Sequence, residues 1–355
     1  MRLLMINAPP ELARELQRLS ADINGLELMI ADRNDPLVPG IGNAHFFPFT
    51  SVAKVDLSAI AKLRKLLHSF RPEVVHSFVP RALAQTVLAS TCMRNPPKIL
   101  SFYGITRVPL WGDPGNWITY LSPKIAHHTC ESNAVKLALI AGGIKESKCE
   151  VIYNCVAEST APKDRSELLS ELKIATDRFV IGTVATIRPV KGIDLLLEAL
   201  LRCSDLNNII VVLIGPIQDP KVERLCEDPR LRDRIRVLGY IPEATSWMPC
   251  MDVFVMPSRS EGLCRALLEA MHQGICPVVS DAGGMKELVR NTTDGIVFPS
   301  EDSLALATAI RRLHGSKTLV QQYGNSARHR VAALCGARVV AERVTKLVQR
   351  VAAAA

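Results

Sequence analysis

The stretch Met256-Pro-Ser-Arg-Ser-Glu261-Gly262-Leu-Cys-Arg-Ala-Leu-Leu-Glu269-Ala-Met271 reads as a strand end, a short loop and a helix. The apolar run Val253–Met256 before it has strand length, and from Arg265 the apolar residues fall at helical spacing. Glu261 lies just before the helix and Glu269 eight residues on, a little over two turns, so both carboxylates can face one side. Gly262 lets a ligand approach the backbone closely. The N–H groups of Leu263 and Cys264, at the expected helix start, are suited to a phosphate or a sugar hydroxyl. Glu269 is flanked by Leu267, Leu268, Ala270 and Met271, and a carboxylate in so apolar a stretch calls for a partner, which ribose hydroxyls would supply. Two isolated glutamates are more often solvated surface charges, so their surroundings have to decide.

Outward from this stretch, short apolar runs alternate with amphipathic helical stretches along the whole chain, the pattern of βαβ units and a mainly parallel sheet. In the first half, strands are expected at Arg2–Ile6, Leu26–Ala31, Glu73–His76, Lys98–Phe102, Ile125–Cys130 and Glu150–Tyr153. Helices are expected at Glu11–Ser20, Leu57–Phe70, Arg81–Cys92 and Ala134–Ala141. Leu57, Ile60, Ala61, Leu63 and Leu67 are expected to face the sheet from the second helix. A polar stretch from Ala157 to about Arg178 interrupts the pattern, which restarts at Val180–Val184 and runs to a helical tail over Lys317–Gln349. The expected fold class is α/β, with two Rossmann-like domains facing across a cleft: residues 1–156, residues 157–330, and a last segment 331–355 whose helix crosses back to the first domain.

A chain of 355 residues exceeds what one core usually supports, which agrees with two domains. Apolar residues at 48% and charged residues at 22% exclude a mostly disordered chain, a collagen and a coiled coil. The net charge of +8 is spread along the sequence, and aromatics make up only 5%. That fits phosphate-bearing ligands or an anionic surface, and argues against a nucleic-acid binder. The ten cysteines form no Cys-x-x-Cys pair and no zinc-finger spacing, so they read as small buried hydrophobes of a reduced compartment. No apolar run approaches the ~20 residues of a membrane span. A cytoplasmic protein follows, one that touches a membrane only from its inner face, if at all.

Two further loops complete the constellation. Gly182-Thr-Val-Ala-Thr-Ile-Arg188-Pro-Val-Lys191-Gly192 places two cations between a strand and a helix, and Ser280-Asp-Ala-Gly283-Gly284 places a glycine pair in the same situation. Two cations beside an anion-receiving helix start would neutralise a diphosphate. With these residues in view, the chain resembles the retaining GT-B glycosyltransferases of family 4 (glycosyltransferase group 1). The resemblance rests on Glu261-x7-Glu269, Lys191-Gly192 and Gly283-Gly284 across residues 150–315. It continues more loosely over residues 1–154, through Pro72-Glu-Val-Val-His76-Ser, and at the boundary through Ile152-Tyr-Asn154-Cys155-Val156.

The resemblance implies a nucleotide-sugar in the C-terminal domain, UDP-sugar first among the candidates, and a glycan or lipid-linked acceptor in the N-terminal domain. Glu269 would hold the ribose. Arg188 and Lys191 would hold the diphosphate and stabilise the leaving group. Glu261, Gly262 and Leu263 would meet the donor sugar and phosphates, and Tyr240 and Ile241 would lie along the base. Transfer would retain the anomeric configuration without a protein nucleophile and, in the absence of an Asp-x-Asp motif, without a metal or other cofactor. The implied product is a bacterial cell-surface polysaccharide or lipopolysaccharide. A GT-B epimerase, lacking this motif set, and a non-catalytic nucleotide-binding member are the rival readings.

The chain departs from the family pattern at several positions. Thr186 stands where an Arg usually precedes the lysine by five. Asn7-Ala-Pro9-Pro10 replaces a Gly-Gly loop, and Tyr103, before Gly104, replaces a His. These changes bear on acceptor handling, where Tyr103 and His76 are the candidates. The tryptophans of Val108–Trp117 are either a sugar platform or the anchor of a loop. His127 and His128 read as structural. The cations of Leu57–Phe70 (Lys62, Arg64, Lys65) read first as a solvated face and second as a contact for an anionic membrane.

Overall fold

Apolar runs of three to six residues form the strands of two parallel sheets in the computed structural model, which describes residues 1–23, 25–156 and 163–354. The first sheet holds β1 (Arg2–Ile6), β2 (Glu27–Asp32), β3 (Ala44–Pro48), β4 (Val74–Ser77), β5 (Lys98–Tyr103), β6 (Ile125–Cys130) and β7 (Cys149–Val151), in the order β3-β2-β1-β4-β5-β6-β7. The second holds β8 (Phe179–Val184), β9 (Ile209–Ile214), β10 (Ile235–Gly239), β11 (Val253–Met256), β12 (Cys276–Ser280) and β13 (Ile296–Phe298), in the order β10-β9-β8-β11-β12-β13. The chain divides into two compact units, Met1–Cys155 with Cys335–Ala355, and Val156–Leu334. The boundary expected at residue 157 falls outside the described residues.

Strand alternation sets the layers of the first unit. Leu3 and Met5 of β1 pack on one face with Leu12, Leu16, Val344 and Leu347, while Leu4 and Ile6 pack on the other with Leu63, Leu66 and Leu67. The helix Ala337–Ala353 therefore supplies part of this unit's core, beside the helix Pro10–Asp22. In the second unit every residue of β9 is buried, as expected for a parallel strand covered on both faces. Ile193, Leu196 and Leu200 cover one face together with Leu306 and Ile310 of the helix Ser303–His314. The strand order reverses between β8 and β11, so the crevice beyond their carboxyl ends is where this topology places a ligand.

Three expectations need correction. β3 has no counterpart among the expected strands; it is an edge strand with mostly part-exposed residues and a terminal Pro48, which weakens its apolar signal. The tail is two helices, Lys317–Cys335 and Ala337–Ala353, separated at Gly336, and the chain passes from the second unit to the first at Leu334–Cys335. In the helix Leu57–Phe70 the buried stripe is Ala59, Leu63, Leu66, Leu67 and Phe70. Leu57 is 79% exposed, because Asp56 caps this helix by accepting from the Ala59 N–H and leaves the first residue on the outer side.

Candidate active site

Loops after β8, β11 and β12 meet at the carboxyl edge of the second sheet. After β8 the turn Pro189–Lys191 ends on Gly192, whose φ of 65° lies in the left-handed region. A Cβ on Gly192 would sit 2.1 Å from the Pro257 carbonyl oxygen, so only glycine lets the two loops touch. Gly283 has a φ of 59°, and a Cβ there would sit 1.7 Å from the Glu261 carbonyl oxygen. The Gly284 N–H donates to the Gly262 carbonyl at 3.2 Å. The Lys-Gly and Gly-Gly pairs are thus the contact points of three loops.

This packing brings Lys191 Nζ to 2.5 Å from Glu261 Oε2, with both side chains largely shielded from solvent. Ser258 Oγ donates to the same carboxylate oxygen at 3.2 Å, and Ser280 Oγ donates to the Ser258 carbonyl at 2.5 Å. Glu261 therefore neutralises Lys191 at the loop junction. The helix begins at Arg265, so Gly262, Leu263 and Cys264 lie just before it and not within its first turn. Among the described residues none accepts a hydrogen bond from the N–H of Gly262, Leu263 or Cys264. The Leu263 side chain is buried, so only its backbone is available to a ligand.

Glu269, on the helix Arg265–His272, accepts from Thr245 Oγ1 at 3.0 Å, and the Thr245 carbonyl accepts from Gln273 Nε2 at 2.9 Å. The two glutamates thus have separate partners. Arg188 is exposed and forms no ion pair among the described residues. Tyr240, 78% exposed, and the half-buried Ile241 follow β10 at the same edge.

Arg259 and Asp194 were not singled out from the sequence, yet they hold these loops together. The Arg259 guanidinium donates to both Asp194 oxygens at 2.8 Å, to the Pro189 carbonyl at 2.5 Å and to Glu301 at 2.7 Å, while its backbone N–H donates to Val190 at 2.8 Å. Asp194 is 3% exposed as a side chain and also takes Lys221 Nζ at 2.8 Å. Burial by itself pushes the Asp194 carboxyl up. The hydrogen bonds from Arg259 and Lys221 outweigh it and hold the group down at about 2. Thr245 was missed for the same reason: its partner is 24 residues away.

The first unit places its candidates differently. Tyr103 is 2% exposed, packs edge-on against Tyr120, and donates its hydroxyl to the Arg107 carbonyl at 2.5 Å; burial pushes it up to about 12. His76 is buried with Nε2 3.0 Å from Thr129 Oγ1, and burial pushes it down to about 3. Neither presents a polar side-chain group to solvent in this unit. A cavity of about 970 Å³ opens instead at the carboxyl ends of β1, β2 and β3, lined by Asn7, Asp32, Arg33, Lys54 and Arg81. Its one local signal is Asn7, which directly follows β1 and adopts φ 54°. Trp111 and Trp117 are about half exposed and pack edge to face, with both indole N–H groups donated to backbone carbonyls, Trp111 to Gly142 and Trp117 to Trp111. His128 is tied to Ser101 at 2.6 Å inside the unit.

The family described as Glycosyl transferases group 1 matches residues 164–330, and Glycosyltransferase Family 4 matches residues 11–159. The chain belongs to the family 4 glycosyltransferases. Similar curated relatives of this glycosyltransferase include the capsular polysaccharide biosynthesis glycosyltransferase CapM of Staphylococcus aureus, 24% identical over 82% of this chain and 80% of CapM. The lipopolysaccharide core mannosyltransferase LpcC of Rhizobium leguminosarum bv. viciae is 31% identical over 44% of this chain and 46% of LpcC. Among solved structures, Anabaena HepE in complex with UDP superposes with a TM-score of 0.78 at 19% identity, over 99% of this chain and all of HepE. Sucrose-phosphate synthase from Thermosynechococcus elongatus gives 0.77 at 18% identity over the full length of both. The glycosyltransferase thus has the GT-B fold. Among its described residues, no helix is long and apolar enough to cross a membrane.

Proposed function

We propose that this glycosyltransferase moves a sugar from a UDP-sugar to a glycan or lipid-linked acceptor of a bacterial surface polysaccharide, with retention of configuration and without a metal. The observation that carries the reading is the Lys191–Glu261 pair, held by two glycine-dependent loop contacts at the strand-order reversal. An arriving diphosphate exchanges for Glu261 as the partner of Lys191, and Arg188 adds a second positive charge. Together they stabilise the negative charge that develops on the departing nucleoside diphosphate, the role a metal would otherwise fill. The open N–H groups of Gly262 and Leu263 receive phosphate or sugar oxygens. Glu269, oriented by Thr245, accepts from the ribose hydroxyls. Tyr240 and Ile241 lie along the base.

The acceptor is assigned to the first unit, where the cavity with Arg33, Lys54 and Arg81 suits an acceptor bearing phosphate. Val52, 83% exposed, precedes the helix Leu57–Phe70, which exposes Leu57, Lys62, Arg64 and Lys65, a combination suited to the anionic inner face of a membrane. Relatives named for capsular, O-antigen and lipopolysaccharide synthesis support the product class.

The test is thermal-shift screening with UDP-, GDP-, ADP- and dTDP-sugars, followed by NMR of the product's anomeric proton with and without chelator. A ligand of the folded state raises the melting temperature. The reading expects the largest shift from a UDP-sugar, its loss in Lys191→Ala, and a retained anomer in chelator. No shift from any donor would sink the donor assignment, and an inverted product would sink the retaining one.

A further inference from the structure

At the opposite edge of the second sheet, the amino ends of β8, β9, β11 and β12 border a cavity of about 980 Å³. Six-residue β8 separates it from the Lys191 loop by about 20 Å at ~3.3 Å per residue. Four cations line the cavity: Arg165, Arg178, Lys317 and Arg328. Arg165 is spent on Asp252, its Nη2 donating to both carboxylate oxygens at 2.9 Å. Arg178 gives one N–H to the Asn207 carbonyl. Lys317 and Arg328 are exposed and form no ion pair among the described residues, which leaves Asp177 as the acid opposing three cations.

Helix ends explain only part of this charge. His272 and His314 stand in the last turns of their helices, where a cation complements the terminal carbonyls. Lys317 opens the helix Lys317–Cys335, where a cation opposes the helix dipole, and Arg328 lies well inside that helix. Their convergence on one cavity therefore has no helix-capping rationale. Phe179, edge-on to His314 at 5.4 Å, supplies an apolar surface.

We propose that this cavity is a second ligand site, for a small phosphorylated molecule of the sugar phosphate class. The phosphate meets Arg178, Lys317 and Arg328, and Phe179 takes the apolar face of the sugar ring. The volume suits a small organic ligand. No residue assigned to the donor site takes part, so the proposal stands or falls separately from that assignment.

Hydrogen–deuterium exchange of the full chain with ribose 5-phosphate, and with inorganic phosphate as the minimal probe, tests it. Both are taken to about 10 mM, ten times a weak dissociation constant of about 1 mM. The expected result is at least twofold slower exchange in peptides covering residues 176–180, 271–276 and 314–322, with ribose 5-phosphate the stronger probe. Lys191→Ala keeps this protection. Lys317→Glu/Arg328→Glu, which alters exposed side chains and should melt like the parent, abolishes it; Arg328→Glu alone weakens it. No slowing with either probe, or slowing that survives the double charge reversal, overturns the proposal.

Discussion

Arg259→Ala removes the clamp between the two loops that carry Lys191 and Glu261. Two of the three hydrogen bonds to the buried Asp194 carboxylate disappear, together with the bond to the Pro189 carbonyl. Asp194 is held at about 2 against an ordinary 3.8, which at ~1.4 kcal/mol per unit is between about 2 and 3 kcal/mol, shared between Arg259 and Lys221. The lost Pro189 bond adds about 1 kcal/mol. The exposed Glu301 pair adds little.

The expected loss at neutral pH is about 2–3 kcal/mol, or roughly 5–10 °C in the melting transition of a unit this size. The sign of the linkage sets the conditions. A carboxyl held low stabilises the fold above its unfolded value near 4, and that stability is lost as pH falls toward 2, so pH 7 shows the full effect. Scanning calorimetry resolves the transition, and initial rates across UDP-sugar concentrations report the site. Freeing the Pro189–Lys191 turn displaces Lys191, and misplacement of about 1 Å costs on the order of 100-fold in kcat/KM. Arg259→Lys, which cannot make the two-pronged contact, should fall between wild type and Ala. A variant that melts within about 1 °C of wild type with unchanged kinetics would refute the clamp.

Thr245→Val removes one hydrogen bond to a carboxylate, worth about 1–2 kcal/mol, and should raise KM for the donor roughly five- to thirtyfold with kcat little changed; an equal fall in kcat would show that Glu269 acts on the reacting atoms. Gly283→Ala should cut transfer more than about 100-fold while the first unit's melting stays unchanged, because the added Cβ overlaps the Glu261 carbonyl; near-normal activity would mean that the loops need not touch. His76 and His128 are each held down to about 3 by burial, so the unfolded chain binds more protons below about 6.5. The first unit should therefore lose about 1.4 kcal/mol per pH unit for each histidine between about 6 and 4, read as a melting temperature that falls with pH and falls less steeply in His76→Phe.

Local order and sharp loop chemistry made much of this protein legible from its residues. The alternation of apolar runs with helical stretches specified two α/β halves, since each strand and helix buries its own face regardless of its neighbours. Lys191-Gly192, Gly283-Gly284 and Glu261 with Glu269 marked the site because glycine at a left-handed turn and a carboxylate in an apolar helix are unusual locally. The edge strand Ala44–Pro48 was not legible, since a strand with one neighbour and a part-exposed surface carries little apolar pattern.

Burial and long-range pairing required the tertiary structure. Tyr103 and His76 had the right chemistry for a site but are enclosed by packing from distant strands and helices, which sequence spacing does not encode. Arg259 and Asp194 are 65 residues apart and look like ordinary charges until β8 and β11 become neighbours. Residue type and spacing determined which groups could do the chemistry. The order of strands in the sheet decided which of them meet, because the free energy of a buried ion pair or a glycine contact exists only once the chain has closed the distance.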